Sequence, residues 1–248
     1  MIHYHGTPCG ATRQDVVGFL AGRHALVPWI RSEDASAAAE VCQSFCVDNG
    51  AFTAWKSGTP IESWGGYYRW VWEWALHPAF DFAIIPDVID GTENQNDELL
   101  AEWRKHFHRQ ELGAPVWHMH ESIERLVTLC SQWPRVCLGS SGQYASVGTD
   151  GWWRRMGEAM EAICDREGRP RCKLHGLRML SPDVFSRLPL ASADSTNAVR
   201  NSSSYSRFGS YLPPTAAQRM AVIAERIEAH QSAAAWTGEV NPTLFDLE

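Results

Sequence analysis

Eight short apolar runs, each ending in polar or acidic residues, constrain the fold of this chain more than any other feature of its sequence. Most of the runs are continuous rather than alternating, as expected for parallel strands that are buried on both faces. Helical segments separate most of them, which predicts βα units and a mainly parallel sheet. Eight such units close a barrel, and 248 residues is a typical length for one. We therefore predict an α/β protein with a (β/α)8 TIM-type barrel in a single domain.

The apolar runs and the segments between them give approximate boundaries. The predicted strands are Ile2–Thr7, Ala25–Trp29, Phe45–Asp48, Phe82–Asp87, Pro115–His120, Val136–Ser140, Cys172–Arg178 and Leu190–Asp194. The predicted helices are Asp34–Gln43, Tyr67–His77, Asn96–Leu112, Glu121–Gln132, Trp152–Glu167 and Thr215–Ala235. The barrel is expected to cover residues 1–212, with a C-terminal helix and tail at 213–248 packed on it. The Ser-rich stretch Asn201–Tyr211 predicts a mobile loop.

The charge distribution is uneven. A net charge of −7 argues against a protein that binds nucleic acid through its whole surface. Residues 151–230, however, hold 12 Lys and Arg against 8 Asp and Glu, whereas the rest holds 10 against 21. A locally basic side on an acidic body can still meet a polyanion, although an ordinary solvated surface has the same composition.

The cysteines and the N-terminal residues indicate a reducing compartment. The cysteine count is odd, at seven, and Met1–His5 lacks the charged and apolar regions of a secretory signal. No apolar run approaches the roughly 20 residues that a membrane helix needs. No second ligand pair at zinc spacing accompanies Cys42 and Cys46. We predict a cytoplasmic protein with no membrane partner, no cofactor and no resident metal.

Polar residues at the strand ends are the candidates for chemistry, because a β/α barrel places its active site there. Asp48 precedes the small residues Asn49-Gly50-Ala51, which let the backbone approach a flat ligand closely. Asp194 lies in Ser192–Asn197, a polar end to an apolar strand. Two aspartates on one face suggest a nucleophile and an acid/base partner. The alternative for both is a capping role in the following turn or helix.

His118 and His120 lie two residues apart on one predicted strand, so their side chains point the same way. Together with Asp48 or Asp87 they could bind a metal, or they could hydrogen-bond a substrate. A metal-dependent hydrolase is therefore an alternative function.

Four segments carry a resemblance to the tRNA-guanine transglycosylase superfamily, nearest to its branch that acts on 7-deazaguanine in DNA. Val47–Phe52 is similar to the segment with the acid/base aspartate, and Ser192–Thr196 resembles the one with the nucleophilic aspartate. Ile85–Asp87 is similar to the segment whose aspartate reads the edge of the base. His175–Arg178 resembles the strand end just before the nucleophile. Together the segments span roughly residues 40–200.

This resemblance implies a reaction and a set of roles. Asp194 would attack C1′ of a nucleotide, and Asp48 would handle the proton of the departing base. Asp87 and His118 would read the base. The other expected substrate contacts are Phe52, His120, Ser140, Gly142, His175, Arg178, Arg200 and Arg207, the arginines facing phosphate.

The departures from the family concern both the base and the polymer. Thr53 replaces a glutamine, His118 lies near where the family often has a glutamine, and Leu138–Gln143 replaces the glycine-rich base-recognition turn. These three changes alter the expected base pocket. The zinc-binding cysteine cluster and the extra tRNA-binding domain of the family are missing, which counts against a tRNA substrate. We therefore predict a DNA partner, with a modified base that is flipped out or single-stranded. The outcome would be base excision by water or exchange for another base.

Two further functions remain as alternatives. One is a nucleic-acid-binding barrel without catalytic activity. The other rests on Tyr4–Thr7, which resembles the nicotinamide-cofactor motif of ADP-ribosyltransferases. The rest of the chain lacks the all-β pattern of that family.

Overall fold

A computed structural model describes residues 1–8 and 12–238. They form nine strands, every pair of which is parallel. The neighbours in the sheet follow the order β5-β4-β3-β2-β1-β9-β8-β7-β6. The strands are β1 (Ile2–Gly6), β2 (His24–Pro28), β3 (Ser44–Asp48), β4 (Phe80–Ile84), β5 (Gly113–Ala114), β6 (Val116–His118), β7 (Arg135–Gly139), β8 (Lys173–Gly176) and β9 (Ser192–Ser195).

The barrel closes at Pro115, the residue that separates β5 from β6. The two short strands stand at opposite ends of the hydrogen-bonded order, yet only this proline separates them along the chain. Because proline has no amide hydrogen, it interrupts the ladder. β5 pairs with β4, and β6 pairs with β7. The two pieces therefore occupy one strand position, and the nine strands make a barrel with eight strand positions.

Ten helices in the described ranges alternate with these strands. They are α1 (Arg13–Leu20), α2 (Asp34–Val41), α3 (Ala51–Ser57), α4 (Gly65–Trp74), α5 (Glu93–His106), α6 (Ile123–Gln132), α7 (Asp150–Ile163), α8 (Pro182–Phe185), α9 (Asn197–Asn201) and α10 (Ala216–Glu228). Threonine side chains cap several N-termini, and Thr12, Thr92 and Thr215 each form a reciprocal capping box. These caps satisfy amides that the first helical turn leaves unpaired.

Alternation along the strands separates two cores. Tyr4, Leu26 and Cys46 belong to a small cluster inside the barrel. Their neighbours, such as Val27 and Val47, point outward into a larger core between the strands and the helices. Side chains that point into the barrel near the strand ends therefore reach its mouth.

The predicted β/α barrel is confirmed by the parallel strands and alternating helices. A strand lies at each of the eight predicted positions, although several boundaries differ by a few residues. Helices α1 and α3 and the short helices α8 and α9 were not predicted. The predicted helix at Trp152–Glu167 ends earlier, at Ile163, because Cys164 pairs with Pro170 across a turn.

The C-terminal helix α10 packs against α1 and α9. Of the predicted C-terminal tail, residues 239–248 lie outside the described part of the chain. Within the described residues, no helix combines the length and the apolar character needed to cross a bilayer.

Candidate active site at the barrel mouth

Asp48 ends strand β3 at the C-terminal mouth of the barrel. Its side chain points inward, since Cys46, two residues earlier, lies in the interior core. Gly50 then turns the chain with a φ of 83°, a left-handed conformation that glycine adopts at little cost. Helix α3 begins at the next residue, Ala51. This tight turn fixes the position of the Asp48 carboxyl group.

The surroundings of Asp48 adjust its acidity. Burial raises the pKa of its carboxyl group to about 7, and the negative charges of Asp194 and Asp87 act in the same direction. Hydrogen bonds from the backbone amides of Gly50 and Asn49 oppose the shift. A carboxyl group with a pKa near neutrality can give or take a proton at physiological pH. The charge interactions also show that the three aspartates share one region.

Asp194 lies in β9 beside Tyr4 of β1 and is 7% exposed. Its Oδ1 accepts a hydrogen bond from the backbone amide of Arg178 at 3.0 Å. The same oxygen lies 3.4 Å from Nε2 of His175. Oδ2 accepts no hydrogen bond from the described residues. These contacts therefore hold one carboxylate oxygen of Asp194 in place.

Asp87 follows β4 and is held through both carboxylate oxygens. The Asn49 side-chain amide donates to Oδ1 at 2.8 Å, and His118 Nε2 lies 2.9 Å from Oδ2. Asn49 is itself buried and also donates to the backbone carbonyl of Ile85, while its Oδ1 accepts from the Ala51 amide. Asn49 was not predicted as a site residue. Its only signal in the sequence is a polar side chain directly after the strand-end aspartate.

His118 and His120 do lie together, with ring centroids 5.6 Å apart. His118 is buried against Asp87, whereas His120 is exposed and contacts other groups. His120 Nδ1 lies 2.8 Å from Ser141 Oγ, and Nε2 lies 3.1 Å from the carbonyl oxygen of Gly91. Among residues 1–8 and 12–238, no group of three or more His, Cys, Asp or Glu side chains is arranged to hold a metal ion.

Arg178 spans the mouth. It follows β8, and its guanidinium carbon lies 4.2 Å from the ring centroid of Phe52, which follows β3. β3 and β8 lie on opposite sides of the barrel, four strand positions apart in either direction. Nη2 also donates to the Ser140 carbonyl at 2.7 Å. Arg178 has a φ of 59°, the one positive value outside glycine among the described residues. Such a conformation costs about 1–3 kcal/mol and is typical of functional sites.

Several predicted substrate contacts lie elsewhere than at the open mouth. His175 is fully buried in the barrel, where its ring packs against Phe82 and its Nδ1 lies 2.8 Å from Ser192 Oγ. It holds Asp194 from beneath instead of facing the substrate. The Ser140 hydroxyl is buried and accepts from the Trp152 indole. His5, another strand-end residue, points outward to Glu228 of α10, because side chains alternate along β1 and Tyr4 faces inward.

The remaining predicted contacts surround the mouth to different degrees. Arg200 is exposed. Burial of Arg178 lowers the pKa of its guanidinium group, and the positive charge of Arg200 adds to this effect, whereas Asp194 opposes it. Arg207 is exposed, and its carbonyl accepts from Arg226 of α10. Gly142, with a φ of 54°, begins a short turn beside His120. A cavity of about 570 Å³ opens at the N-terminal ends of β7 to β9, lined by Lys173 and other residues, far from these groups.

Comparisons with known proteins give a likeness of fold. No family model matches the chain, and no curated protein matches it. Two mutant tryptophan synthase alpha-subunits from the hyperthermophile Pyrococcus furiosus superpose with TM-scores of 0.52 and 0.51. Each is 12% identical, and the match covers 92% of this chain and 97% of that one. This chain has a β/α-barrel fold. At this identity, the comparison carries no conclusion about the reaction.

The raised pKa of Asp48 predicts that Asp48→Asn stabilises the protein at neutral and alkaline pH. The folded-state pKa is about 7, whereas aspartate in an unfolded chain titrates near ~3.9. Between these values the folded protein binds more protons, so its free energy of unfolding falls as the pH rises, by about 1.4 kcal/mol for each unit of pKa difference. Asparagine does not titrate, so Asp48→Asn removes this decrease in the free energy of unfolding. Urea unfolding of both proteins at about pH 4 and about pH 8 measures the difference.

The stabilisation by Asp48→Asn should be larger at the higher pH. An equal change in unfolding free energy at both values would contradict the prediction. Asp183→Asn, which alters an exposed aspartate in α8, is the matched control. Its unfolding free energy should stay within about 0.5 kcal/mol of the parent protein.

Proposed function

We propose that this protein is an enzyme that cleaves the N-glycosidic bond of a base in DNA through a covalent aspartyl–sugar intermediate. The observation that carries the proposal is the pairing of Asp48 and Asp194 at one barrel mouth. Burial raises the pKa of Asp48 to about 7, and Oδ2 of Asp194 accepts no hydrogen bond from residues 1–8 and 12–238. Two carboxyl groups in different environments are the usual basis for an acid and a nucleophile at one sugar.

Asp194 acts as the nucleophile in this proposal. Loss of the base develops positive charge at C1′, and Oδ2 of Asp194 forms a bond to that carbon as the bond to the base breaks. Meanwhile the Arg178 amide and His175 hold Oδ1 in place. The base departs with the electron pair of the broken bond.

Asp48 acts as the acid in the first half of the reaction. Its protonated carboxyl group gives the departing base a proton, which neutralises the charge on the leaving group. In the second half, water attacks C1′ and gives up a proton to Asp48, while the bond between C1′ and Asp194 Oδ2 breaks and Asp194 leaves as a carboxylate. The product is an abasic site. Attack by another base instead gives exchange. Both outcomes use the same two carboxyl groups.

The cations beside the mouth favour a nucleic acid as substrate. The charge of Arg200 acts on Arg178, whose backbone amide donates to Asp194 Oδ1. Two guanidinium groups at the mouth suit the phosphates on either side of a nucleotide, which arginine binds through paired hydrogen bonds. The resemblance of Val47–Phe52 and Ser192–Thr196 to the tRNA-guanine transglycosylase superfamily supports the same proposal, with DNA as its polymer.

The test is to incubate the protein with single-stranded and duplex DNA, unmodified and carrying modified bases, and to measure free base by mass spectrometry. Base release, or incorporation of an added labelled base, is the expected result. Neither outcome on any DNA would count heavily against the proposal. A covalent protein–DNA adduct in the denatured sample would identify the intermediate.

Two other functions have distinct outcomes in the same experiments. Stoichiometric zinc or iron in the purified protein, with activity lost on its removal, would favour a hydrolase based on His118 and His120. DNA binding that survives Asp194→Ala, in a protein that releases no base, would favour a non-catalytic barrel. The different contacts made by the two histidines favour the aspartate pair.

A further inference from the structure

Three exposed apolar side chains border one side of the mouth. They are Ile30 after β2, Trp55 in α3 after β3, and Val88 after β4, which are 59%, 50% and 39% exposed. The three strands are neighbours in the sheet, so the side chains follow adjacent strands along one rim of the mouth. Exposed apolar side chains grouped beside a concave site suit contact with a ligand.

Trp55 is the central member of this rim, and its ring is held in place. Its indole Nε1 donates to Asp90 Oδ2 at 2.6 Å. The ring also lies 5.7 Å from the Phe52 ring, at an angle of 35°. Phe52 in turn contacts Arg178. These contacts fix one edge of the indole while half of its surface remains exposed. A fixed, exposed indole loses little conformational entropy when a flat ring stacks on it.

Positive charge lies both across the mouth and beside this rim. Arg200 lies in α9 after β9, and Arg178 follows β8 but extends its guanidinium group to Phe52. Trp55 itself is bonded to the negative Asp90. A nucleic acid strand that crosses the mouth would therefore place phosphates at the two arginines and a neighbouring base on the indole. Single strands are commonly bound by this combination of a basic track and an aromatic platform.

We propose that Trp55 is a second base-binding site, where a nucleobase next to the target nucleotide stacks outside the mouth. The inference rests on the proposed function for its DNA ligand, and it adds a preference for unpaired strands. Binding at Trp55 involves no covalent step. Because every base has a flat ring face, stacking on the indole does not depend on which base is bound. The target base enters the mouth while its neighbour stays on the rim.

The test uses two fluorescein-labelled oligomers of equal length and measures binding by fluorescence anisotropy. One is oligothymidylate, and the other carries an abasic tetrahydrofuran unit in place of every nucleoside. All proteins carry Asp194→Asn so that no ligand is consumed. Trp55→Ala should weaken oligothymidylate binding by about 5- to 100-fold. It should change binding of the base-free oligomer by less than about 2-fold, since the phosphate contacts remain.

Trp72→Ala is the matched control, because Trp72 is also 50% exposed but lies on α4 and stacks on Phe107. It should leave both affinities unchanged. Trp55→Phe keeps an aromatic face and should retain most of the affinity for oligothymidylate. Equal losses on the two oligomers, or no loss for Trp55→Ala, would overturn the proposal. So would the absence of measurable binding to oligothymidylate.

The outcomes for the rim and for the chemistry can be told apart. If the parent enzyme releases base but Trp55→Ala binds oligothymidylate normally, the stacking site is refuted alone. If binding depends on Trp55 but no DNA yields free base, the proposed reaction is refuted and the binding site stands.

Discussion

Asp194→Asn should abolish formation of the covalent adduct and reduce base release by on the order of 10⁴- to 10⁶-fold, as the loss of a nucleophile does in other covalent enzymes. The asparagine carbonyl can still accept the hydrogen bond from the Arg178 amide that Asp194 accepts at 3.0 Å. The change therefore removes the attacking charge with little effect on shape. Single-turnover release of free base, measured by mass spectrometry, gives the rate, and intact-protein mass gives the adduct.

Asp183→Asn is the matched control for this prediction, since Asp183 is an exposed aspartate in α8, which follows β8. Its rate should equal that of the parent enzyme. Base release by Asp194→Asn within about 10-fold of the parent would remove Asp194 from the role of nucleophile. DNA affinity should change little in either variant, because neither carboxylate is expected to attract the polymer.

Asp48→Asn should reduce base release by about 10²- to 10⁴-fold, the usual contribution of a general acid or base. The adduct with Asp194 should still form, but slowly. Since the pKa of Asp48 is about 7, the protonated fraction of the parent enzyme decreases above that pH. The first half-reaction should therefore slow as the pH rises, and the rate in Asp48→Asn should lose this dependence. A pH profile of single-turnover base release measures both effects.

A substrate whose base leaves readily without a proton provides the control for Asp48. With such a base, Asp48→Asn should lose much less activity than with a poor leaving group. Equal losses on both substrates, together with an unchanged pH profile, would show that Asp48 does not donate the proton.

The repeating pattern of the strands could be predicted from sequence, because buried parallel strands leave a continuous apolar signal. Their exact ends could not. The predicted strand Pro115–His120 is divided at its proline, since the missing amide hydrogen separates β5 from β6. Helix α1 escaped prediction although Thr12 and Asp15 form a capping box at its start. This helix has only eight residues, so its apolar residues show little helical periodicity in the sequence.

The candidate site was predictable in its residue types but only partly in its geometry. Strand ends identified Asp48 and Asp194, because a barrel brings all such ends to one mouth. The alternation of side chains along a strand does not say which of two neighbours faces inward. In β1 the structure shows that Tyr4 points into the barrel and His5 points away from it. The contact of Arg178 with Phe52 joins opposite strands, so no local pattern contains it. Asn49 acts through Asp87, which lies 38 positions away in sequence.

Because the strand ladder is interrupted at Pro115, the residues around Asp87 also help to hold the barrel closed. Beyond this proline, β6 pairs with β7, and no strand ladder in the described residues joins it to β4. There the two sides are connected by side chains: His118 lies 2.9 Å from Asp87, and Asn96 donates to Glu121 at 2.9 Å. Substitution of Asp87 or His118 would thus weaken the side-chain contacts that join the two sides of the barrel at this point. Under the prediction that these two residues read the base, a change of base specificity there would need compensating mutations elsewhere in the fold.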